Sequence, residues 1–214
     1  MKKKSFAVLG LGKFGTSVAE EMSRAGVDVL AVDMEEENVH NVVDIVTCAM
    51  KVDVRDSETL ASLGLSNMDA VIVAITESLD ASIMATITAK EAGVPMVIAK
   101  AKNDIHAKIL KKVGADRIII PEKESGTRMA RCLVSGNFID FIELSDKVSM
   151  VEISVRPEWV GKGLRELALR DKIGVNVIAI HSGNDMIVNI HPDTPLKEED
   201  TLWVIASEKE IEKL

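Results

Sequence analysis

A glycine-rich turn and one acidic residue are the clearest candidates for chemistry in this sequence. Gly10, Gly12 and Gly15 directly follow the apolar run 5–9. Asp33 closes the next apolar run, at close to the roughly 20-residue spacing expected of a dinucleotide fingerprint. The glycines permit a tight turn, contact between bare backbone and a pyrophosphate, and close packing of helix on sheet. The following helix would direct its N–H groups at phosphates, and Asp33 would accept hydrogen bonds from ribose and disfavour a 2′-phosphate.

Three charged residues around this turn have both a functional and a structural interpretation. Lys13 would add positive charge at the phosphates, or it is an exposed lysine at the start of a helix. Glu122 would meet a divalent cation on those phosphates, or it is a first-turn acid favoured by the helix dipole. Asp33 itself has the alternative of a solvated acid at a strand end.

The strands and helices that must position these residues alternate along the first part of the chain. The sequence predicts strands at 5–9, 28–33, 45–49, 70–75, 95–99 and 117–120, and helices at 13–25, 35–43, 56–63, 79–92 and 103–113. The strands are apolar at nearly every residue, which indicates burial on both faces of a parallel sheet. The fold class that follows is α/β, a Rossmann-like doubly wound parallel sheet.

Ligands of such sheets bind over the carboxyl ends of the strands. The candidate binding residues are therefore those that leave the predicted strands: Asp53, Val54, Ala74, Ile75, Thr76, Lys100 and Glu122.

The alternation of apolar strands with helices ends after Glu122. A helix is predicted at 124–134, and an apolar cluster follows at 138–144, which either a partner subunit or the chain's own sheet must cover. Alternating strands and a hairpin turn at 182–185 then indicate a small α+β domain. We expect a nucleotide-binding domain at 1–135, a connector or dimerisation segment at 136–146 and a C-terminal domain at 147–214.

Composition narrows the class of protein. The 214 residues are 47% hydrophobic and 28% charged, which is a globular balance without a membrane-spanning run. The net charge of −8, with basic residues spread through the chain, argues against nucleic acid as a partner. Cys48 and Cys132 have no CxxC partner and are expected to be buried, and no signal peptide is recognisable. The protein is therefore expected to be cytoplasmic.

The sequence offers little for catalysis. A hydride-transfer enzyme needs a proton donor beside the nicotinamide, yet the chain has no Tyr and only four His. His40 and His106 lie on predicted helices with polar neighbours, so both are expected at the surface. We expect a protein that is not an enzyme; the alternative is a small NAD-dependent oxidoreductase.

The chain resembles the cytoplasmic regulatory subunits of Trk/Ktr-type potassium uptake systems, which are built from RCK domains. The resemblance runs along nearly the whole sequence and is carried by the segments 6–15, 30–33, 69–75, 100–103, 113–122 and 170–180. It implies a homodimer that assembles into an octameric ring on a membrane potassium-translocating subunit. It also implies that exchange of ATP, ADP or NAD(H) in the N-terminal domain gates that partner.

The resemblance also implies roles for particular residues. Those that would hold phosphates are Gly10, Gly12, Lys13, Phe14 and Gly15, with Lys100 and Glu122 at the phosphate end. Asp33 would hold the ribose and Asp53 the adenine side, and Glu122 would share Mg²⁺ or Ca²⁺ across the dimer. Arg170 and Asn176 occupy positions that match a cyclic di-AMP site of some relatives.

This chain departs from the common family pattern at three places. Lys13 stands where Arg is frequent, and a lysine lacks the bidentate grip of arginine on phosphate. Val54 and Arg55 stand where a small residue and Thr are frequent. Thr76 and Glu77 follow the fourth strand where Gly is frequent. The preferred nucleotide is therefore left open by the sequence.

Overall fold

The computed structural model describes residues 3–145, 147–211 and 213–214. The chain divides into two compact units, the first ending at Pro121 and the second beginning at Glu122. Each unit has its own sheet and its own hydrophobic core.

The first unit contains a six-stranded parallel sheet with the strand order β3-β2-β1-β4-β5-β6. Its strands are β1 (Ser5–Leu9), β2 (Asp28–Asp33), β3 (Cys48–Lys51), β4 (Ala70–Val73), β5 (Val97–Lys100) and β6 (Arg117–Ile119). The connecting helices are α1 (Lys13–Arg24), α2 (Glu36–His40), α3 (Ser57–Ser62), α4 (Leu79–Glu91) and α5 (Asp104–Lys112). This arrangement confirms the predicted doubly wound sheet.

Side-chain alternation along the strands explains why the sheet is covered on both faces. In β1, Ala7 and Leu9 belong to one hydrophobic cluster and Val8 belongs to another. Because successive residues of a strand point to opposite faces, each face of the sheet has its own apolar layer. All three side chains are fully buried, so polar groups can meet a ligand only at the strand ends.

Side-chain caps fix where three of the helices begin. Asp56, Ser78 and Asn103 each accept a hydrogen bond from a first-turn backbone N–H, of Thr59, Ala81 and His106 respectively.

The second unit is built on a five-stranded antiparallel sheet with the order β10-β9-β11-β8-β7. The strands are β7 (Phe138–Ser145), β8 (Val148–Ser154), β9 (Asn176–Ser182), β10 (Asp185–Ile187) and β11 (Thr201–Ser207). The helices are α6 (Pro121–Ser135), α7 (Leu164–Leu167), α8 (Leu169–Ile173) and α9 (Glu208–Ile211). The small C-terminal α+β fold is thus also confirmed, including the hairpin between Ser182 and Asp185.

The apolar cluster at 138–144 forms an edge strand, β7, which pairs with β8. Phe141 is buried in the core of the second unit, whereas Ile139 and Leu144 are each 52% exposed. The chain's own sheet therefore covers only part of this cluster.

Three local predictions were wrong. The third strand is Cys48–Lys51 rather than 45–49, because the chain after α2 continues in turns as far as Thr47. Cys48 is consequently exposed on an edge strand, and Cys132 is only partly buried. The pattern of residues 163–169 predicts one short helix, but it is interrupted at Ala168, whose positive φ of 48° ends α7 and begins α8.

Candidate nucleotide-binding site

Two glycines of the turn after β1 are required by the packing of the fold, whether or not a ligand is bound. Gly10 has a φ of +95°, and a Cβ on it would lie 2.7 Å from Cγ1 of Ile75. A Cβ on Gly15 would lie 1.9 Å from the carbonyl oxygen of Gly10. A side chain at either position would therefore disturb the strand–turn–helix junction before any ligand is considered.

Gly12 differs from these two residues. A Cβ on Gly12 would meet no atom within 4 Å, and its φ of −65° is accessible to any residue. Gly12 is also the N-cap of α1, where no side chain caps the helix and no acidic residue occupies the first turn. The first N–H groups of α1, which have no partner within the helix, and a partial positive charge thus border open space at this point, which is the requirement for binding a phosphate.

Asp33 is held against this turn. It is only 9% exposed at the end of β2, and its two carboxylate oxygens accept hydrogen bonds from the backbone N–H of Leu11, at 2.6 Å, and of Glu35, at 2.8 Å. A carboxylate has about four acceptor positions, so two remain for the hydroxyls of a ribose. Asp33 therefore supports the turn and presents an anionic acceptor beside it.

The end of β4 forms the opposite side of the crevice. β1 lies between β2 and β4, so the strand order reverses there, and open α/β sheets bind ligands at such a point. Ala74, Ile75 and Thr76 leave β4 partly buried, and the N–H of Ala74 donates to Leu9 at 2.7 Å. Ile75 packs against Gly10, which fixes this segment to the glycine turn.

Lys100 brings the end of β5 to the same turn. Its Nζ lies 5.6 Å from the ring centroid of Phe14, within the range of a cation–π contact. Lys13 is exposed on the first turn of α1. Two cationic side chains thus belong to the region that the free amides of α1 face.

His106, predicted at the surface, is instead 4% exposed near the start of α5. Its Nδ1 accepts a hydrogen bond from the backbone N–H of Lys102 at 3.2 Å. Burial lowers the pKa of His106 below its ordinary value, so the ring is held neutral. The polar neighbours in sequence were misleading because the side chain turns back under the β5–α5 loop.

The loop after β3 contains an interaction that the sequence analysis missed. Asp53 is paired with Arg55 two residues later, and Val54 between them is 5% exposed within the core. The side chain of Val54 faces the core of the first unit, and the prediction that Val54 binds the nucleotide stays a prediction. The Asp-x-Arg spacing was the signal available for the ion pair.

The remaining predicted residues belong to the second unit. Glu122 is exposed on the first turn of α6, and Arg170 on α8 and Asn176 at the start of β9 are exposed as well. Among the described residues, no three His, Cys, Asp or Glu side chains are grouped as a metal site would require. Within the same residues, no helix is both long and apolar enough to cross a membrane.

A glycine turn on β1, an acid at the end of β2 and a doubly wound sheet define the nucleotide-binding class of Rossmann-like domains. The TrkA-N domain model matches residues 6–121, and the TrkA-C domain model matches residues 148–214. The chain belongs to this family of potassium uptake proteins, which confirms the resemblance noted in the sequence.

Two relatives and one solved structure illustrate the family. The chain is 42% identical to Ktr system potassium uptake protein C of Bacillus subtilis (strain 168), over 99% of this chain and 96% of the relative. It is 38% identical to Ktr system potassium uptake protein A of the same organism, over 100% of this chain and 96% of the relative. The structure of the GsuK channel bound to NAD matches 98% of this chain and 38% of that one, with a TM-score of 0.69 and 15% identity, and so shares the fold.

Proposed function

We propose that this chain is the cytoplasmic regulatory subunit of a Ktr-type potassium uptake system. It binds an adenine nucleotide in its first unit and thereby controls a membrane potassium-translocating partner at the inner face of the membrane. The observation that carries the proposal is the open space at Gly12, at the start of α1 and next to Leu11, whose N–H donates to the buried Asp33. The identity along the full length of two potassium uptake proteins supports the assignment of the partner.

The ligand is an adenine nucleotide with two or more phosphates: ATP, ADP or NAD(H). The amides at the start of α1, with Lys13 and Lys100, hold the phosphates, and Asp33 holds the ribose. The buried negative charge of Asp33 disfavours a 2′-phosphate, so NADP(H) is a poorer ligand. Asp53 lies at the adenine side.

The protein acts by binding rather than by chemistry. A ligand shifts a conformational equilibrium only by the difference between its affinities for the two conformations. The nucleotide therefore controls the partner if it binds one arrangement of subunits more tightly than another. We propose no catalytic residue.

Exposed apolar side chains on α6 and β7 support a dimer. Arg128 and Arg131 of α6 pair with Asp140 and Glu143 of β7, which fastens the helix to the edge strand. The apolar residues left exposed on these two elements are Met129, Leu133, Val134, Ile139 and Leu144. A second copy of the chain would bury them, and four such dimers would complete the octameric ring that we propose.

Two further ligands belong to the proposal. Glu122 offers one carboxylate to Mg²⁺ or Ca²⁺, and one carboxylate binds such a cation well only with further oxygen ligands, such as a nucleotide phosphate or the same residue of a second subunit. Arg170 and Asn176 are exposed on neighbouring elements of the second unit and are proposed to contact cyclic di-AMP.

The test combines binding and transport. Isothermal titration calorimetry with ADP, ATP, NAD⁺, NADH and cyclic di-AMP should show micromolar or tighter binding of at least one adenine nucleotide, at about −8 kcal/mol or below. Potassium uptake by cells that coexpress the chain with a Ktr-type membrane subunit should depend on the chain and be reduced by Asp33→Asn. Absence of binding, or uptake that is the same with and without the chain, would contradict the proposal.

A further inference from the structure

Arg55 donates to both carboxylate oxygens of Asp53 through three N–H groups. Nε of Arg55 lies 2.9 Å from Oδ1 and 3.0 Å from Oδ2, and Nη2 lies 2.6 Å from Oδ2. The backbone N–H of Arg55 donates to Oδ1 as well, at 3.0 Å. Three N–H groups thus engage both oxygens, with the Nε–H shared between them, so most of the roughly four acceptor positions of Asp53 are taken within the chain.

The backbone around this pair is fixed. The N–H of Val52 donates to the carbonyl of Asp33 at 2.9 Å, and the side chains of Val52 and Val54 are buried. The N–H of Asp56 donates to the carbonyl of Asp53 at 3.0 Å, and Asp56 then caps α3. The ion pair therefore stands on a rigid turn rather than on a freely moving loop.

This turn lies beside the proposed ribose site. Asp33 at the end of β2 pairs in register with Lys51 at the end of β3, and Asp53 follows two residues later. The hydrogen bond from Val52 to Asp33 joins the two strand ends directly. A nucleotide whose ribose meets Asp33 thus has its base at the side where Asp53 and Arg55 stand.

Arg55 changes what Asp53 can recognise. A carboxylate with vacant acceptor positions would accept a hydrogen bond from the 6-amino group of adenine and would discriminate against a base that carries a 6-oxo group. The guanidinium, in a forked geometry, and the backbone N–H of Arg55 already engage both oxygens. The hydrogen bonds from Arg55 also lower the pKa of Asp53, so the carboxylate stays ionised and paired at neutral pH.

We propose that Arg55 is a specificity-determining residue of the nucleotide site: by pairing with both oxygens of Asp53, it removes selection for the 6-amino group of the base. This inference rests on the proposed function, because it concerns the same site. Its consequence is that the protein accepts adenine and hypoxanthine nucleotides with similar affinity. Substitution of Arg55 would release Asp53 and restore the preference for adenine.

The experiment compares ADP with inosine 5′-diphosphate. ADP carries a 6-amino group on its base, whereas inosine 5′-diphosphate carries a 6-oxo group and a proton on the adjacent ring nitrogen N1. Calorimetry on the full chain should give dissociation constants within about threefold of each other for the wild type. Arg55→Met keeps the aliphatic stem and removes the side-chain donors, and it should favour ADP by tenfold or more. Adding Asp53→Asn to Arg55→Met should bring the ratio back below threefold.

A matched control is available in the second unit. Arg165 forms a comparable pair with Asp193, with Nε 2.7 Å from Oδ1, and both side chains are exposed. Arg165→Met should leave the ratio of the two dissociation constants unchanged. Arg55→Lys retains the positive charge but not the bidentate geometry of the guanidinium. Its ratio of the two dissociation constants should lie between those of the wild type and Arg55→Met.

The outcomes separate this inference from the function on which it rests. A wild type that prefers ADP by tenfold or more, or an Arg55→Met protein with an unchanged ratio, would overturn the role of Arg55 while the nucleotide site stands. A wild type that binds neither diphosphate would overturn the role of Arg55, and absence of binding to ATP, NAD⁺ and NADH as well would overturn the proposed function.

Discussion

Replacing Gly12 with alanine should lower nucleotide affinity while leaving the stability of the fold nearly unchanged. The added methyl group meets no protein atom within 4 Å, and the backbone conformation of Gly12 suits alanine. Alanine lowers the entropy of the unfolded chain, which stabilises by about 0.4–1 kcal/mol. Alanine is also a poorer N-cap than glycine, by roughly 0.5–1 kcal/mol. The two effects oppose each other, so the melting temperature without ligand should change by less than about 4 °C.

The effect on the ligand should be much larger. The methyl group would occupy the space through which a phosphate approaches the first amides of α1, and we expect a loss of affinity of about 100-fold, or roughly 2.7 kcal/mol. At a nucleotide concentration 100 times the wild-type dissociation constant, ligand stabilises the wild type by about 2.7 kcal/mol and the variant by only about 0.4 kcal/mol. For a chain of this size the wild type should gain roughly 5–11 °C and the variant about 1–2 °C.

The assay is thermal unfolding with and without ADP, followed by calorimetry. Gly126→Ala is the matched control, since a Cβ on Gly126 also meets nothing within 4 Å, and it should keep the wild-type affinity. Gly15→Ala should fail to fold stably, because its Cβ would lie 1.9 Å from the carbonyl oxygen of Gly10. A Gly12→Ala protein that binds ADP as tightly as the wild type would refute the placement of the phosphates.

Three other expectations follow from the structure. Asp33→Ala should lower stability by about 1–3 kcal/mol as well as nucleotide affinity, because the N–H groups of Leu11 and Glu35 lose their acceptors; an unchanged melting temperature would contradict the supporting role of Asp33. The pKa of Asp116 is lowered by hydrogen bonds from the N–H of Val97 and the ammonium of Lys90. Its stabilising effect is thus complete above about pH 5, one unit above the ordinary pKa of Asp, and is lost as the pH falls through the lowered value. The melting-temperature difference between the wild type and Asp116→Asn should therefore be constant from neutral pH to about pH 5 and shrink in stronger acid. Leu133→Glu, at a side chain that is 76% exposed, should leave the melting temperature of the monomer nearly unchanged but shift the chain from dimer to monomer in light scattering; a variant that remains dimeric would place the interface elsewhere.

Much of the first unit could be predicted because its signals are local. The buried strands β1, β2 and β4 are continuous apolar runs, and the glycine turn has constraints that only glycine meets at Gly10 and Gly15. The caps Ser78 and Asn103 likewise act within one helical turn of their own positions. Sequence patterns succeed where the physical cause lies a few residues away.

The errors arose where strand pairing or the direction of a side chain decides the outcome, because the local pattern of residue types fixes neither. β3 is an edge strand whose burial pattern is weak, so its position is set by pairing with β2 and not by its own residues. His106 looks like a surface residue by its neighbours, yet the loop that contains Lys102 covers it. The role of Asp53 depends on whether Arg55 reaches back to it, which the spacing allows but does not require.

The position of Cys48 offers a practical route to watching this protein respond to its ligands. Its thiol is exposed on the outer strand of the first unit, four residues before Val52, whose amide is joined to Asp33. Once Cys132 is replaced by serine, a maleimide dye or nitroxide spin label would attach at one known point per chain. Distances between labels on different copies could then be followed by energy transfer or electron resonance as nucleotide is added.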